Sequence, residues 1–176
     1  DLHVNDVYNV SSNKSVTWKS ENPLVATVND EGRIYALFVG KTKIIASNGV
    51  NTKEINVIVN GNFNELVEPM LHFNDSYSDI EKEEKREKYI YSTEQELIYR
   101  GEDSSIIDNI KYRFSNGKME ECVLVTHYSN SEKVFNYIKE RYIPLKSADE
   151  SVQLASPDGK ILVRITVSIS PELAIR

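Results

Sequence analysis

The sequence is poor in the residues and motifs that would assign it to a catalytic class. Its 176 residues include one cysteine, Cys122, and three histidines, so an internal disulfide is excluded and the histidines lack the spacing of a zinc site. No nucleophile-elbow, phosphate-loop or dinucleotide motif is present. Catalysis by Cys122 and His127 is disfavoured because side chains an odd number of residues apart on a strand point to opposite faces. We therefore predict no catalytic residues, no metal, no cofactor and no enzymatic activity.

Two further absences limit the range of partners. No apolar run approaches the ~20 residues that a membrane-spanning helix needs, so we expect no membrane span, while a lipid anchor outside this segment stays open. The 21 basic residues are outnumbered by 27 acidic ones, which gives a net charge of −6. This balance argues against nucleic acid as a main partner.

The first third of the chain contains a series of short strand patterns. Val16–Ser20 alternates with the period of two that is typical of a half-buried strand, and Trp18 within it is predicted to be largely buried. Polar turn residues with Gly32 and the pair Asn48-Gly49 separate the later strands. Short strands at a spacing of roughly ten residues, with turn signals between them, predict an all-β sandwich.

The residues of this stretch also carry a family resemblance. Trp18–Pro23, followed by Val25–Val28, Gly32, Gly40 and Thr42–Ala46, resembles the bacterial Ig-like domain of group 2. The resemblance implies an Ig-like β-sandwich over residues 1–60, and the short N-terminal part leaves open whether an edge strand is missing. It also implies an exported protein, because such modules act as spacers in bacterial surface proteins and adhesins; adhesion itself is implied only by analogy.

The rest of the chain reads as a second domain. Asn60-Gly61-Asn62 is short, polar and glycine-centred, so it predicts a boundary between domains 1–60 and 61–176. Capping boxes at Ser78–Glu81 and Ser129–Glu132 predict two helices. Alternating strands lie between and after them, including a hairpin with an Asn-Gly turn. A helix on one face of an antiparallel sheet predicts an α+β fold.

Parity along the strands predicts a polar sheet face. The second helix carries an apolar stripe formed by Val134, Phe135, Ile138 and Tyr142. This stripe is predicted to cover the sheet face that carries Ile110, Tyr112, Phe114, Ile161, Val163 and Ile165. The opposite face then carries Lys111, Arg113, Arg164, Thr166 and Ser168. We predict that it binds a partner such as an acidic glycan or a carboxylate-rich surface; the alternative is a solvated sheet face.

Three functions follow as hypotheses. The first is a non-catalytic protein, at the bacterial cell surface as an outer-membrane lipoprotein or secreted, in which the Ig-like spacer presents the α+β domain to a protein or glycan. The second is a structural or assembly subunit without a ligand, and the third an enzyme with an unrecognised site. Residues 63–176 carry a Tyr112-x-Phe114 strand, an Asn116-Gly117 turn and a helix that ends in Lys139–Tyr142, and through these features they resemble C-terminal domains of gut-bacterial surface lipoproteins of unknown function. Eight of the ten tyrosines follow residue 76, which suggests stacking on sugars or, alternatively, positions in the core.

Overall fold

The computed structural model describes residues 1–101, 106–145 and 152–165. The chain divides into two compact units, one formed by Asp1–Asn62 together with the part from Ile138 onward, and the other by Phe63–Tyr137. The predicted boundary after residue 60 therefore lies next to the point where the chain leaves the first unit, but the chain returns to that unit at Ile138. The division into domains 1–60 and 61–176 stays a prediction.

Seven strands of the first unit form the predicted sandwich. One sheet has the strand order β1-β7-β6-β3 and the other has the order β2-β5-β4. Their bounds are β1 Leu2–His3, β2 Val7–Asn9, β3 Thr17–Ser20, β4 Ala26–Val28, β5 Arg33–Ala36, β6 Gly40–Ser47 and β7 Thr52–Asn60. Buried residues from both sheets pack in one cluster, among them Ala26, Ile34, Ile44 and Val59. Because alternate residues of these strands are apolar, each sheet turns one apolar face towards the cluster.

Gly32 and Trp18 lie close together in this sandwich. Gly32 has φ +81°, and a Cβ at this position would lie 2.3 Å from the carbonyl oxygen of Val10 and 3.3 Å from the Trp18 ring. Only glycine tolerates both conditions. Trp18 is half-buried and packs against the core cluster, which agrees with the prediction that most of its surface is covered.

The second unit is built on a three-stranded antiparallel sheet. Its strand order is β10-β9-β8, with β8 at Glu96–Arg100, β9 at Asn109–Ser115 and β10 at Lys118–Val125. Asn116 and Gly117 join β9 to β10 with φ +50° and +72°, the pair of positive values that a type I′ hairpin turn requires. The hairpin predicted from this Asn-Gly pair is therefore present.

Two helices flank this sheet in the sequence. Helix α1 spans Tyr77–Glu83 and is capped by Ser76 and Asp79, whose side chains bond reciprocally to the backbone. The capping box predicted at Ser78–Glu81 thus lies two residues too late. Helix α2 spans Ser131–Arg141 and follows a 3-10 turn at Tyr128–Asn130.

The strands that we predicted to share one sheet are separate. Strand β9 belongs to the sheet of the second unit, whereas Leu162–Ile165 (β13) pairs with Val152–Ala155 (β12), which pairs with Ile143–Pro144 (β11). The predicted stripe on α2 is likewise incomplete, because Phe135 is 60% exposed while Ile138 and Tyr142 are buried. Alternation identifies the faces of a strand but not its neighbours, which is why both assignments failed.

Candidate functional site

The predicted partner-binding face is not one surface. Lys111 and Arg113 lie on β9 in the second unit, whereas Arg164 lies exposed on β13 in the first. Thr166 and Ser168 lie outside the described residues. The premise that parity places all five on a common sheet face is therefore wrong, because β9 and β13 belong to different sheets. Partner binding by any one of them stays a prediction.

Arg113 is engaged by two carboxylates across the strands. Its Nε lies 2.7 Å from Glu96 Oε1 on β8, and its Nη1 lies 2.7 Å from Glu121 Oε2 on β10. These two hydrogen bonds, with Glu96 contributing most, raise the pKa of the Arg113 guanidinium. One cation shared between two anions leaves this row of the sheet negative. The local charge therefore argues against an acidic ligand at Arg113.

Cys122 is a half-buried thiol with a raised pKa. Cys122 lies opposite Tyr112 in the β9–β10 pair, and burial raises its pKa to about 12. A thiol with this pKa is protonated at neutral pH and is a poor nucleophile. His127 instead has its Nδ1 2.8 Å from Ser129 Oγ and accepts from the Ser129 backbone N–H. Over residues 1–101, 106–145 and 152–165, no three His, Cys, Asp or Glu side chains are grouped so as to hold a metal ion.

A buried charged cluster organises the second unit. The side chains of Glu84 and Arg86 are only 4% and 10% exposed, and Arg86 Nη1 lies 2.8 Å from Glu84 Oε2. The Tyr112 hydroxyl donates to the same oxygen at 2.6 Å, and the backbone N–H groups of Lys85 and Arg86 donate to Glu84 Oε1 at 2.9 and 3.1 Å. Burial acts to raise the pKa of Glu84, but the bonds from Tyr112 and Arg86 hold it below its usual value. Since its carboxylate is fully satisfied, we interpret the cluster as structural.

The tyrosines divide into core and surface residues. Tyr99, Tyr112, Tyr137 and Tyr142 are buried, which fits the core interpretation for these four. Tyr91 is 58% exposed and its ring stacks on that of Tyr89, with centroids 4.9 Å apart and planes 19° apart. Aromatic stacking on a ligand is thus restricted to a few positions.

Tyr91 belongs to a surface loop with a fixed backbone. We define the aromatic loop as residues Tyr89–Ser92. At its start the Tyr89 N–H donates to Ile98 O at 2.8 Å, and at its end the Ser92 N–H donates to Tyr89 O at 3.2 Å. The Ser92 hydroxyl accepts from the Ile98 N–H at 3.0 Å and donates to Tyr89 O at 2.9 Å. Both ends of the loop are therefore held against strand β8.

The tip of the aromatic loop presents apolar side chains to solvent. Ile90 is completely exposed, with a relative accessibility of 101%, and it stands beside the half-exposed Tyr91. Neighbouring exposed apolar groups add nothing to the folded core, and contiguous exposed apolar surface is typical of interaction sites, whereas single exposed apolar residues are common. The sequence signal was the triplet Tyr89-Ile90-Tyr91 within a charged stretch, but the structure was needed to show that hydrogen bonds to Ile98 hold the ends of this loop.

Comparison with known proteins identifies the first unit's sandwich. Residues 1–59 match the family model of the bacterial Ig-like domain (group 2), which confirms the resemblance drawn from Trp18–Ala46. Domains of this family are typical of bacterial surface proteins. The match covers about a third of the chain, and no curated protein matches the sequence. Among the described helices, none is both long and apolar enough to cross a membrane.

Proposed function

We propose that this chain is a non-catalytic binding protein of the bacterial cell surface. The Ig-like segment serves as the spacer, and residues 63–137 carry the surface that contacts a protein or glycan. The match of residues 1–59 to a family typical of surface proteins supports the location. Anchoring as an outer-membrane lipoprotein is part of the proposal, and acylation of the full-length protein, detected by mass spectrometry of the membrane fraction, tests it.

The observation that carries the binding function is the aromatic loop. Its hydrogen bonds to β8 fix Ile90 and Tyr91 before a partner arrives, so binding them costs little conformational entropy. A tyrosine offers a large apolar face and a hydroxyl while losing only two rotatable bonds. Such residues dominate the energetics of many interfaces.

Substitution of the loop tip tests this proposal. The full chain is applied to glycan arrays and to intact cells, and binding is compared with that of Ile90→Asp and Tyr91→Ala. Matched controls are Val50→Asp, at an 88% exposed turn position, and Tyr128→Ala, at a 77% exposed tyrosine. We expect the loop variants to lose roughly tenfold or more in affinity, as hot-spot residues do. The controls should change little.

Equal behaviour of the loop variants and their controls would refute the assignment of the loop. Arg164→Glu belongs in the same experiment, since Arg164 is the exposed basic residue of the predicted face on β13. A loss confined to Arg164→Glu would move the site to β13.

An assembly role without a ligand is the second candidate. Strand β2 is exposed along its whole length, with Val7 54% and Tyr8 56% exposed, and it lies at one edge of its sheet. Exposed edge strands can pair with another chain. Sedimentation of the full chain over a hundredfold concentration range tests this role, and a purely monomeric species refutes self-assembly.

A further inference from the structure

The chain leaves the first unit and returns to it at adjacent positions. Asn62 is the last residue before the excursion through residues 63–137, and Ile138 is the first residue after it. The backbone N–H of Asn62 donates to Glu140 Oε2 at 2.8 Å. The backbone N–H of Val39 donates to the carbonyl oxygen of Glu140, also at 2.8 Å. Both departure and return are therefore tied to one residue.

The packing around Glu140 is close. Glu140 is 8% exposed, and its Oε2 lies 3.7 Å from Arg141 Nη1. A Cβ on Gly61 would lie 2.9 Å from both terminal nitrogens of Arg141 and from Glu140 Oε2, so the departing backbone rests directly on this ion pair. The Asn62 side chain also donates to Val4 O at 2.9 Å, which connects the contact to the start of the sandwich.

We name these contacts of Val39, Gly61 and Asn62 with Glu140 and Arg141 the Glu140 clasp. A buried carboxylate is costly to keep without hydrogen bonds, because those partners offset the loss of its hydration. The clasp therefore joins Asn62 and Glu140, which are 78 positions apart in the sequence and are directly hydrogen-bonded in the structure.

We propose that the Glu140 clasp closes the base of an inserted unit and carries mechanical load past it. A force pulling on the two ends of the chain passes through the first unit and crosses from Asn62 to Glu140 through the clasp. Residues 63–137 lie outside this path while the clasp holds, and come under tension only when it opens. A partner-binding unit placed in this way keeps its structure under tension, whatever its partner is.

Pulling the full chain from its two ends with optical tweezers tests the order of events. Residues 63–137 number 75, so their unfolding releases roughly 26 nm at ~3.5 Å per residue. In the wild-type protein this step should always follow a separate, smaller opening event. In Glu140→Ala it should occur first in a substantial share of traces. A 26 nm step that comes first in the wild type, or an unchanged order in the variant, overturns the proposal.

Amide hydrogen exchange of the full chain gives an independent reading that needs no pulling force. Exchange at Asn62 should accelerate roughly tenfold or more in Glu140→Ala, because its N–H loses the side-chain oxygen that accepts it. Val39 donates to the backbone carbonyl of Glu140, which the substitution keeps, so its exchange should change much less. Glu140→Gln retains an acceptor oxygen and should show a smaller effect. Lys139→Ala, at an exposed neighbour on the same helix, should leave both amides unchanged. Unchanged exchange in Glu140→Ala refutes the clasp even if that variant shows altered pulling traces.

Discussion

Replacing Tyr112 by phenylalanine isolates the contribution of one hydroxyl to the stability of the second unit. Tyr112 is fully buried, and its ring packs edge-on against Tyr99 with centroids 5.9 Å apart. Phenylalanine retains this packing and deletes only the oxygen. That oxygen donates to Glu84 Oε2 at 2.6 Å and accepts from the Met70 N–H at 3.1 Å. The substitution therefore removes two hydrogen bonds and leaves both partners behind.

The expected cost follows from the nature of these two bonds. A hydrogen bond to a charged group contributes about 1.5–3 kcal/mol, and a donor left without a partner costs about 1–3 kcal/mol. Glu84 keeps its bonds from Arg86 and from two backbone N–H groups, and the loop at Met70 can relax. We therefore expect a loss of about 2–4 kcal/mol in the free energy of unfolding, below the simple sum.

The two units can be followed separately in one urea titration. Trp18 is the only tryptophan and lies in the first unit, so its fluorescence reports on the sandwich. Amide exchange at β9 and β10 reports on the second unit. Tyr91→Phe deletes the same hydroxyl at an exposed position and serves as the control, with an expected change within about 0.5 kcal/mol.

A Tyr112→Phe variant as stable as Tyr91→Phe would contradict the role of the buried cluster. A change seen only in the Trp18 signal would contradict the placement of the effect in the second unit.

Three further predictions concern Glu84, Cys122 and Trp18. The pKa of Glu84 is lower in the folded chain than its ordinary value of 4.5, so the ionised side chain stabilises the fold fully above pH 4.5 and this stabilisation is lost as the pH falls towards the pKa of the folded state. In urea titrations between pH 3 and 7, Glu84→Gln should therefore flatten the acid side of the stability profile. An unchanged slope contradicts this. Cys122, with its pKa raised to about 12, should react with a thiol reagent at pH 8 far more slowly in the native chain than in urea; equal rates refute the burial. Trp18→Ala should cost about 2–3 kcal/mol, less than a full core deletion, because the ring is half-buried; thermal unfolding followed by circular dichroism checks this value.

Local interactions explain what the sequence by itself determined. The strands of the sandwich could be predicted because each alternates apolar and polar residues, and the turn at Asn116-Gly117 because both positions require positive φ. The polar turn residues before Gly32 likewise predict a turn in which this glycine has a positive φ. These features depend on neighbours within a few residues, so the sequence contains all that is needed to recognise them.

Only the tertiary structure decided which of these elements meet. β9 and β13 carry the same alternating pattern, yet they pair with different strands, because period-two alternation identifies a face without identifying a neighbour. The contact between Asn62 and Glu140 spans 78 positions, and no local signal marks either residue as a partner. The aromatic loop is visible as a triplet of residues, but the hydrogen bonds from its ends to Ile98 on β8 are seen only in the structure. Long-range pairing depends on how the whole chain buries its apolar faces. For this reason the residues of the predicted basic face lie on different sheets, whereas the Ig-like sandwich, which local patterns indicate, was confirmed.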